Sequence, residues 1–427
     1  MINKYFLKLK QSELLRAITI LFSGSMIVNV GNYLFYLFLG RFLGPKDFGV
    51  FASLISILVI VGIPSLALQN LFAKSSSSLG AKNQFGQIKY LLIFFIRSIL
   101  VIGLLLTFIT WLTSRPLADY LHLPDQRLIW LLSAVWLPIL LIPTAKGVLQ
   151  GLEKFSSLSI SMVLEILVKI LLGLTLVLAG LRVYGALAAV IASSLLALVY
   201  SFYLIKFIFK EKAVNHFSYA ERLKPILPLL IASLFFNLFY SLDVILVKHY
   251  FSETEAGWYA ALSKLGTIIF FITAPIAGVI LPMVSRRQAQ GRDIKNLLYH
   301  STALVFLIAG AVTIVYRSQP DLVIGILFGP AYLSIKPILW LIGLAMTFLS
   351  LNFLLMNYLI SLHRFRFLFV FVAGMLLEVV SILRLHNSLK QIIINLIITW
   401  GFIFFGLIMS IFKTLNYPMK LTRKTRL

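Results

Sequence analysis

The chain reads as twelve apolar runs of roughly membrane-crossing length, each ended by a charge, a glycine or a proline. The runs fall near 17–40, 50–73, 90–112, 129–150, 156–180 and 186–208, then 226–247, 259–283, 297–316, 336–360, 367–384 and 392–412. Hydrocarbon offers no partner to a backbone N–H or C=O, so a run of this length closes its own hydrogen bonds as a helix. The segments are Leu- and Ile-rich throughout and lack the polar–apolar alternation of a membrane barrel. The pattern predicts an all-α polytopic membrane protein.

Composition sharpens this picture. Of 427 residues, 60% are hydrophobic and 12% charged, with a mean hydropathy of +0.98, which leaves no room for a sizeable soluble domain. The 38 Lys and Arg against 14 Asp and Glu give a formal charge of +24. In a soluble chain that balance would suggest nucleic acid; among membrane spans it reports loop orientation, and no nucleic-acid partner is expected. Alternate loops place 25 Lys and Arg on the side of the termini and 11 on the other, with Arg97 and Lys169 inside spans. Both termini are therefore expected in the cytoplasm, in a multi-pass protein of the cell (inner) membrane whose basic loops attract anionic lipid. Lys4, Lys8, Lys10 and Arg16 precede an apolar stretch too long for a signal-peptide core, read as an uncleaved first span. The absence of cysteine excludes disulfides, thiolate metal sites and cysteine nucleophiles.

Laying the halves over one another exposes a repeat. Arg41-Phe-Leu-Gly-Pro-Lys-Asp-Phe-Gly49-Val-Phe51-Ala52-Ser-Leu54 matches His249-Tyr-Phe-Ser-Glu-Thr-Glu-Ala-Gly257-Trp-Tyr259-Ala260-Ala-Leu262, with Gly, aromatic, Ala and Leu in register. Gln150-Gly-Leu152-Glu-Lys154-Phe155 matches Ile360-Ser-Leu362-His-Arg364-Phe365, and Leu164-Glu165 matches Leu377-Glu378. Six spans separate equivalents, an even number, so the halves share an orientation and a pseudo-two-fold axis along the membrane normal. The expected organisation is an N-terminal six-helix bundle over 1–208, a cytoplasmic linker over 209–225, a C-terminal six-helix bundle over 226–412 and a basic cytoplasmic tail over 413–427. The two bundles should face a central cavity.

Charges within spans are costly and mark functional candidates. Arg97, Glu165, Lys169, Asp243, Lys264 and Glu378 qualify. Glu165 and Lys169 stand at i,i+4 on one face, where they can pair either structurally or around a bound group. Arg97 is placed either in the cavity or snorkelling to the headgroups. Asp243 can hold a cation or a structural salt bridge. Glu378 lacks an i,i+4 lysine, since Ile382 stands there, and is expected protonated or paired with another helix, with Arg384 and His386 at hand. The polar run Asn29 to Tyr33, which includes Asn32, and the run Asn237 to Asp243 hold equivalent positions, so both first helices of the halves should line the cavity. Prolines 64, 138, 143, 228, 275 and 282 either bend spans for gating or serve packing. Ser75 to Ser78 reads as a solvated turn, and Trp130, Trp136 and Trp400 as belt or packing residues. No Walker loop, HExxH or GxSxG is present and the histidines are scattered, so no enzyme activity, no metal and no cofactor are expected.

The stretch Gly40 to Ala52, its match over Asp243 to Ala260, and Leu327-Phe328-Gly329-Pro-Ala-Tyr332 resemble the polysaccharide flippases of the multidrug/oligosaccharidyl-lipid/polysaccharide (MOP) exporter superfamily. The resemblance covers essentially the whole chain and implies a V-shaped, two-bundle fold like that of multidrug and toxic compound extrusion (MATE) transporters. It also implies translocation of an undecaprenyl-diphosphate-linked oligosaccharide from the cytoplasmic to the outer leaflet by alternating access. Basic side chains compensate the diphosphate in such a cavity, and Arg97, Lys169 and Lys264 are the candidates. Coupling to H⁺ or Na⁺ through Glu165, Asp243 or Glu378 stays open, as do a cation-coupled drug extruder and a nontransporting scaffold of a glycan assembly complex. Expected partners are the lipid-linked oligosaccharide, membrane lipids, and polysaccharide polymerase or glycosyltransferases.

Overall fold

The structure is a computed structural model and describes residues 2–214, 227–290 and 292–416. The linker positions 215–225 and the tail positions 417–427, with their basic residues, lie outside the described residues. Among the described residues there are only helices and connections, with no strand. The helices are α1 (Ile2–Gly80), α2 (Phe85–Leu112), α3 (Ser114–Tyr120), α4 (Arg127–Ser133), α5 (Trp136–Gly151), α6 (Phe155–Leu176), α7 (Arg182–Leu204), α8 (Leu227–Phe239), α9 (Leu242–Tyr250), α10 (Glu253–Ala289), α11 (Lys295–Ser318), α12 (Pro320–Leu327), α13 (Leu339–Ser361), α14 (Leu368–Arg384) and α15 (Leu389–Asn416). Among the described residues, nine stretches are long and apolar enough to cross a membrane. Two of these, Thr19–Gly80 and Phe155–Leu204, break at Gly44 (φ 72°) and Gly180 (φ 91°), and each therefore supplies two crossings. With the 17-residue α14, the described residues provide the expected twelve.

The breaks follow from local chemistry. Gly44 and Gly329 (φ 94°) take a left-handed conformation open to glycine, and each is followed by a proline that starts the next helical segment. Elsewhere non-glycine residues take that role at helix C-termini: Asn83, His122, Glu153 and His363 all have positive φ. At Glu153 the next amide, Lys154 N–H, donates five residues back to Leu149 O at 2.9 Å; at His363 the Arg364 amide donates to Leu359 O at 3.0 Å. Both are the helix-ending motif that satisfies orphan carbonyls. They stand at equivalent positions of the sequence repeat, so the repeat extends to backbone geometry. The helices run on through Pro64, Pro143 and Pro275, while Pro228 occupies the first turn of α8, where its missing N–H costs nothing. Ser75 to Ser78 form the last turns of α1 and not a solvated turn; Ser75 and Ser76 are buried. The glycine that seats this end is Gly151, where a Cβ would strike Ala73 O and crowd Ser76.

Packing divides the chain into two compact units, one formed by Met1–Leu230 and Val244–Ala260, the other by Ile231–Asp243 and Ala261–Leu427. In the first, α1 packs along α5 and α6, and α6 along α7. Phe72, Leu91, Leu92, Val148, Leu149 and Ile205 form its core. Lys89 donates to Phe209 O and Glu211 O at 2.7 Å each, tying the segment after α7 to α2. At the opposite ends of the helices the repeated motifs meet. Gly49 and Gly257 abut backbone to backbone, and a Cβ on Gly257 would collide with Pro45 O. Lys46 pairs with Glu253 at 2.6 Å, and Arg182 with Asp47 at 2.8 Å. His249 donates from Nδ1 to Tyr120 O at 2.6 Å and stacks on the Tyr120 ring at 3.9 Å. The hydrogen bond from the Tyr184 hydroxyl, then that of the Arg127 amide, holds the Asp125 carboxyl below the usual carboxylate range. Lys248 is buried without a hydrogen-bond acceptor among the described residues, and the field of Glu253 acts on it.

In the second unit, α13 packs between α11 and α15, and α14 packs on α15. Tyr316 donates to Leu265 O at 2.7 Å, and Asn352 to Trp400 O at 2.9 Å.

The glycine contact predicts a contrast within one helix. Gly257→Ala overpacks a backbone contact and should cost about 1–3 kcal/mol. Gly278→Ala, where nothing lies within 4 Å of the added Cβ, should be neutral or stabilising because alanine favours the helix. Thermal unfolding of both variants in detergent, followed by tryptophan fluorescence, should show the midpoint falling only for the first.

Candidate functional site: a charged cavity and a buried acidic cluster

In the first unit, α1, α5, α6 and α7 enclose a cavity of about 290 Å³. Its walls are largely apolar, with Leu58, Ile139, Ile142 and Val190, and its polar groups come from Ser65, Gln69, Lys146, Glu165, Lys169 and Ser193. Small residues bring the helices close enough for these groups to converge: at Gly147 a Cβ would strike Gln69 O, and at Gly31 it would strike the Ile166 side chain.

The i,i+4 pairing expected of Glu165 and Lys169 is replaced by two cross-helix contacts. Lys146 of α5 donates to Glu165 Oε2 at 2.7 Å, with the two side chains 12% and 27% exposed. Lys169 instead reaches Asn32 Oδ1 of α1 at 2.5 Å and lies 5.5 Å over the Phe35 ring. The exchange has a physical reason: each lysine reaches an acceptor on a different helix, so one carboxylate and one amide oxygen serve two ammonium groups. Glu165 still acts on Lys169 through its field. The formal balance of the cavity is two cations against one carboxylate.

Asn32, Glu165 and Lys169 lie close together in the first unit, and Lys146 is the residue that sequence reasoning missed. It falls within the fourth apolar run, 129–150, without figuring among the in-span charges named above; α5 runs to Gly151 and carries it into the cavity. Its signal was position: a lysine five residues before the helix end, three after Pro143, in an otherwise apolar run. Arg97 is not in this cavity. It is exposed on α2, on the face shared with Val101, Leu104 and Phe108, which are 59%, 58% and 58% exposed and form an apolar outer surface. Asn29 is exposed on α1.

The second unit gathers the remaining candidates. Asp243, at the start of α9, and Glu378 of α14 are both buried, and the field of Asp243 acts on Lys264 of α10 and on Glu378. Glu378 accepts from Trp400 Nε1 at 3.0 Å; its other oxygen has no hydrogen-bond partner among the described residues. Neither Arg384 nor His386 supplies that contact: His386 Nδ1 faces Ile382 O. Trp400, expected as a belt or packing residue, is fully buried and positions the carboxylate. Asn237 accepts from the Tyr240 hydroxyl at 2.7 Å and donates to Ser233 O at 2.7 Å. The cluster's formal balance is one cation against two carboxylates. Among the described residues no group of three or more His, Cys, Asp or Glu could hold a metal ion.

The cavity pair predicts non-additive stability. Glu165→Leu leaves Lys146 and Lys169 without a carboxylate and Lys146→Met leaves Glu165 without its ion-pair partner, whereas the two substitutions together remove the pair. A double-mutant cycle on unfolding in detergent should give a coupling of about 1–3 kcal/mol; strictly additive losses would show that the contact carries no net energy.

Comparisons with known proteins agree with this architecture. A family model described as polysaccharide biosynthesis protein matches residues 14–288. An uncharacterized membrane protein of Methanocaldococcus jannaschii is 27% identical over 280 residues, covering 60% of this chain and 64% of that protein. Among solved structures, an inward-facing MATE family multidrug resistance transporter of the MOP superfamily superposes with a TM-score of 0.76 at 14% identity, over 94% of this chain and 99% of the other. An outward-facing MATE family transporter gives 0.64 at 14% identity, and a eukaryotic MATE transporter 0.62 at 15%, each over 94% of this chain and 96% of the other. These likenesses establish a shared fold, that of membrane transporters. With the family model covering most of its length, the chain belongs to the polysaccharide biosynthesis protein family, on a fold shared with MATE transporters.

Proposed function

We propose that this protein translocates an oligosaccharide linked through a diphosphate to a polyprenyl lipid, from the cytoplasmic to the outer leaflet, by alternating access. The observation that carries the reading is the cation excess of the first unit's cavity, where Lys146 and Lys169 stand against the single carboxylate of Glu165 within apolar walls. A diphosphate cannot enter hydrocarbon uncompensated, and ammonium groups in a low-dielectric wall offer charge-assisted hydrogen bonds. Lys169 can exchange its amide oxygen for a phosphate oxygen at little cost, because Asn32 is neutral. The distribution of Lys and Arg supports a cytoplasmic-membrane location with both termini inside, two six-span halves over 1–208 and 226–412, and cytoplasmic partners that build or polymerise the glycan.

A second reading, a cation-coupled extruder of small molecules, is favoured by a different observation, the two buried carboxylates Asp243 and Glu378 of the second unit. The readings separate in proteoliposomes loaded with a fluorescent undecaprenyl-diphosphate oligosaccharide, with flipping followed by quenching from one face. Lys146→Gln and Lys169→Gln should each slow flipping by about ten- to a hundredfold, the worth of one charged hydrogen bond. Arg97→Gln should leave it unchanged. Full activity in both lysine variants at normal yield, together with proton-driven efflux of a cationic dye, would move the protein to the extruder class.

A further inference from the structure

On the second unit, α10 and α11 enclose an apolar groove of about 330 Å³. Pro275, Val279 and Met283 line it from α10, and Leu297, Ser301 and Leu304 from α11. It faces outward: Val279, Met283 and Leu304 are 55%, 37% and 47% exposed. The α10 residues recur every four positions, so they form one stripe along the helix. The next steps of that stripe, three and four residues beyond Met283, are Arg286 and Arg287. On α11 the stripe through Leu297 and Leu304 includes His300. A continuous surface therefore leads from a hydrocarbon-lined groove to two guanidinium groups at the end of α10.

The charge at this mouth is predominantly positive. Arg286, Arg292 and Lys295 are exposed and Arg287 half-buried, and the nearest carboxylate in sequence, Asp293, is committed to the start of α11, where it accepts from the Lys295 amide at 2.8 Å. Among the described residues, the Arg287 guanidinium donates to the Asp293 backbone oxygen at 3.5 Å. A preference for basic loops on one side of the membrane accounts for the number of these charges but not for their register with the groove. Apolar groove and guanidinium pair in one line match an amphiphile with an anionic head and a long tail.

We propose that this groove is a binding site for an anionic phospholipid, with one acyl chain laid along Pro275, Val279 and Met283 and the phosphate seated on Arg286 and Arg287. Bidentate guanidinium donors suit phosphate oxygens, and the tail completes the hydrocarbon contact that the open groove lacks. The site is independent of the cavity of the first unit and of what that cavity carries.

The test uses the full chain in detergent, titrated with dioleoylphosphatidylglycerol and read by native mass spectrometry. The wild-type protein should retain the lipid in preference to dioleoylphosphatidylcholine, and inorganic phosphate should not displace it. Arg286→Gln with Arg287→Gln should weaken retention about tenfold or more. Val279→Phe, or Leu304→Phe should the first fail to fold, should weaken it as well by filling the groove. Arg364→Gln with Arg366→Gln, which removes the same charge from another loop, should have no effect. Equal weakening by that control pair would reduce the interaction to bulk charge and overturn the proposal. So would retention unaffected by a filled groove, or displacement by inorganic phosphate, which would mark a free-anion site.

Discussion

A charge placed within hydrocarbon must find its compensation inside the protein, and the contact of Lys146 with Glu165 is where this structure meets that demand most directly. An unpaired ammonium or carboxylate there would cost several kcal/mol. The contact joins α5 to α6, and a parallel one from Lys169 to Asn32 joins α6 to α1. Three helices are thus fixed around one cavity by the groups that line it. Close approach makes those contacts reachable: Gly147 lies on the backbone of the second half of α1, and Gly31 on Ile166. Placement of small residues and placement of charges are one design, since without the first the second could not be satisfied.

The same dependence explains how the duplicated sequence is used. Equivalent residues have kept the backbone role and changed the chemistry. Glu153 and His363 end helices in the same left-handed conformation although one is acidic and the other an imidazole. Glu165 and Glu378 hold equivalent positions on α6 and α14, yet one meets a lysine and the other an indole N–H. Gly49 and Gly257 touch each other, so a small residue is required on both sides of one contact. Backbone geometry tolerates no substitute at such a place, whereas a carboxylate can be compensated in several ways.

That difference also marks what could be read in advance. Apolar run length identified all twelve crossings because the backbone's need for hydrogen bonds in lipid leaves a single local solution. The turns at Gly44 and Gly180 were legible for the same reason. Short helices such as Ser114–Tyr120 and Pro320–Leu327 were not, since they lie between spans where hydropathy says little. Partner choice was illegible as well. The i,i+4 spacing of Glu165 and Lys169 made their pairing reasonable, but it ignores what neighbouring helices offer, and Lys146 was hidden by its closeness to a span end. Arg97 shows the converse: a charge in a span can stand exposed among apolar neighbours, outside the first unit's cavity.

The two ionisable groups differ in sign of balance, and this bears on the proposed function. Lys146, Lys169 and Glu165 make the first unit's cavity formally cationic, while Asp243, Glu378 and Lys264 make the second unit's cluster formally anionic. Carrying an anionic lipid-linked sugar and responding to a cation are usually set against each other as rival assignments for one site. Here they fall on different units, with different residues, so neither excludes the other. On the proposed reading, the cationic cavity compensates the diphosphate, and the acidic cluster is where a proton or sodium ion would be exchanged if transport is coupled. Glu378 fits that second role in one respect that Glu165 does not: its hydrogen-bond donor among the described residues, the Trp400 indole, is neutral, so gain or loss of a proton would not leave a hydrogen-bonded ammonium group stranded.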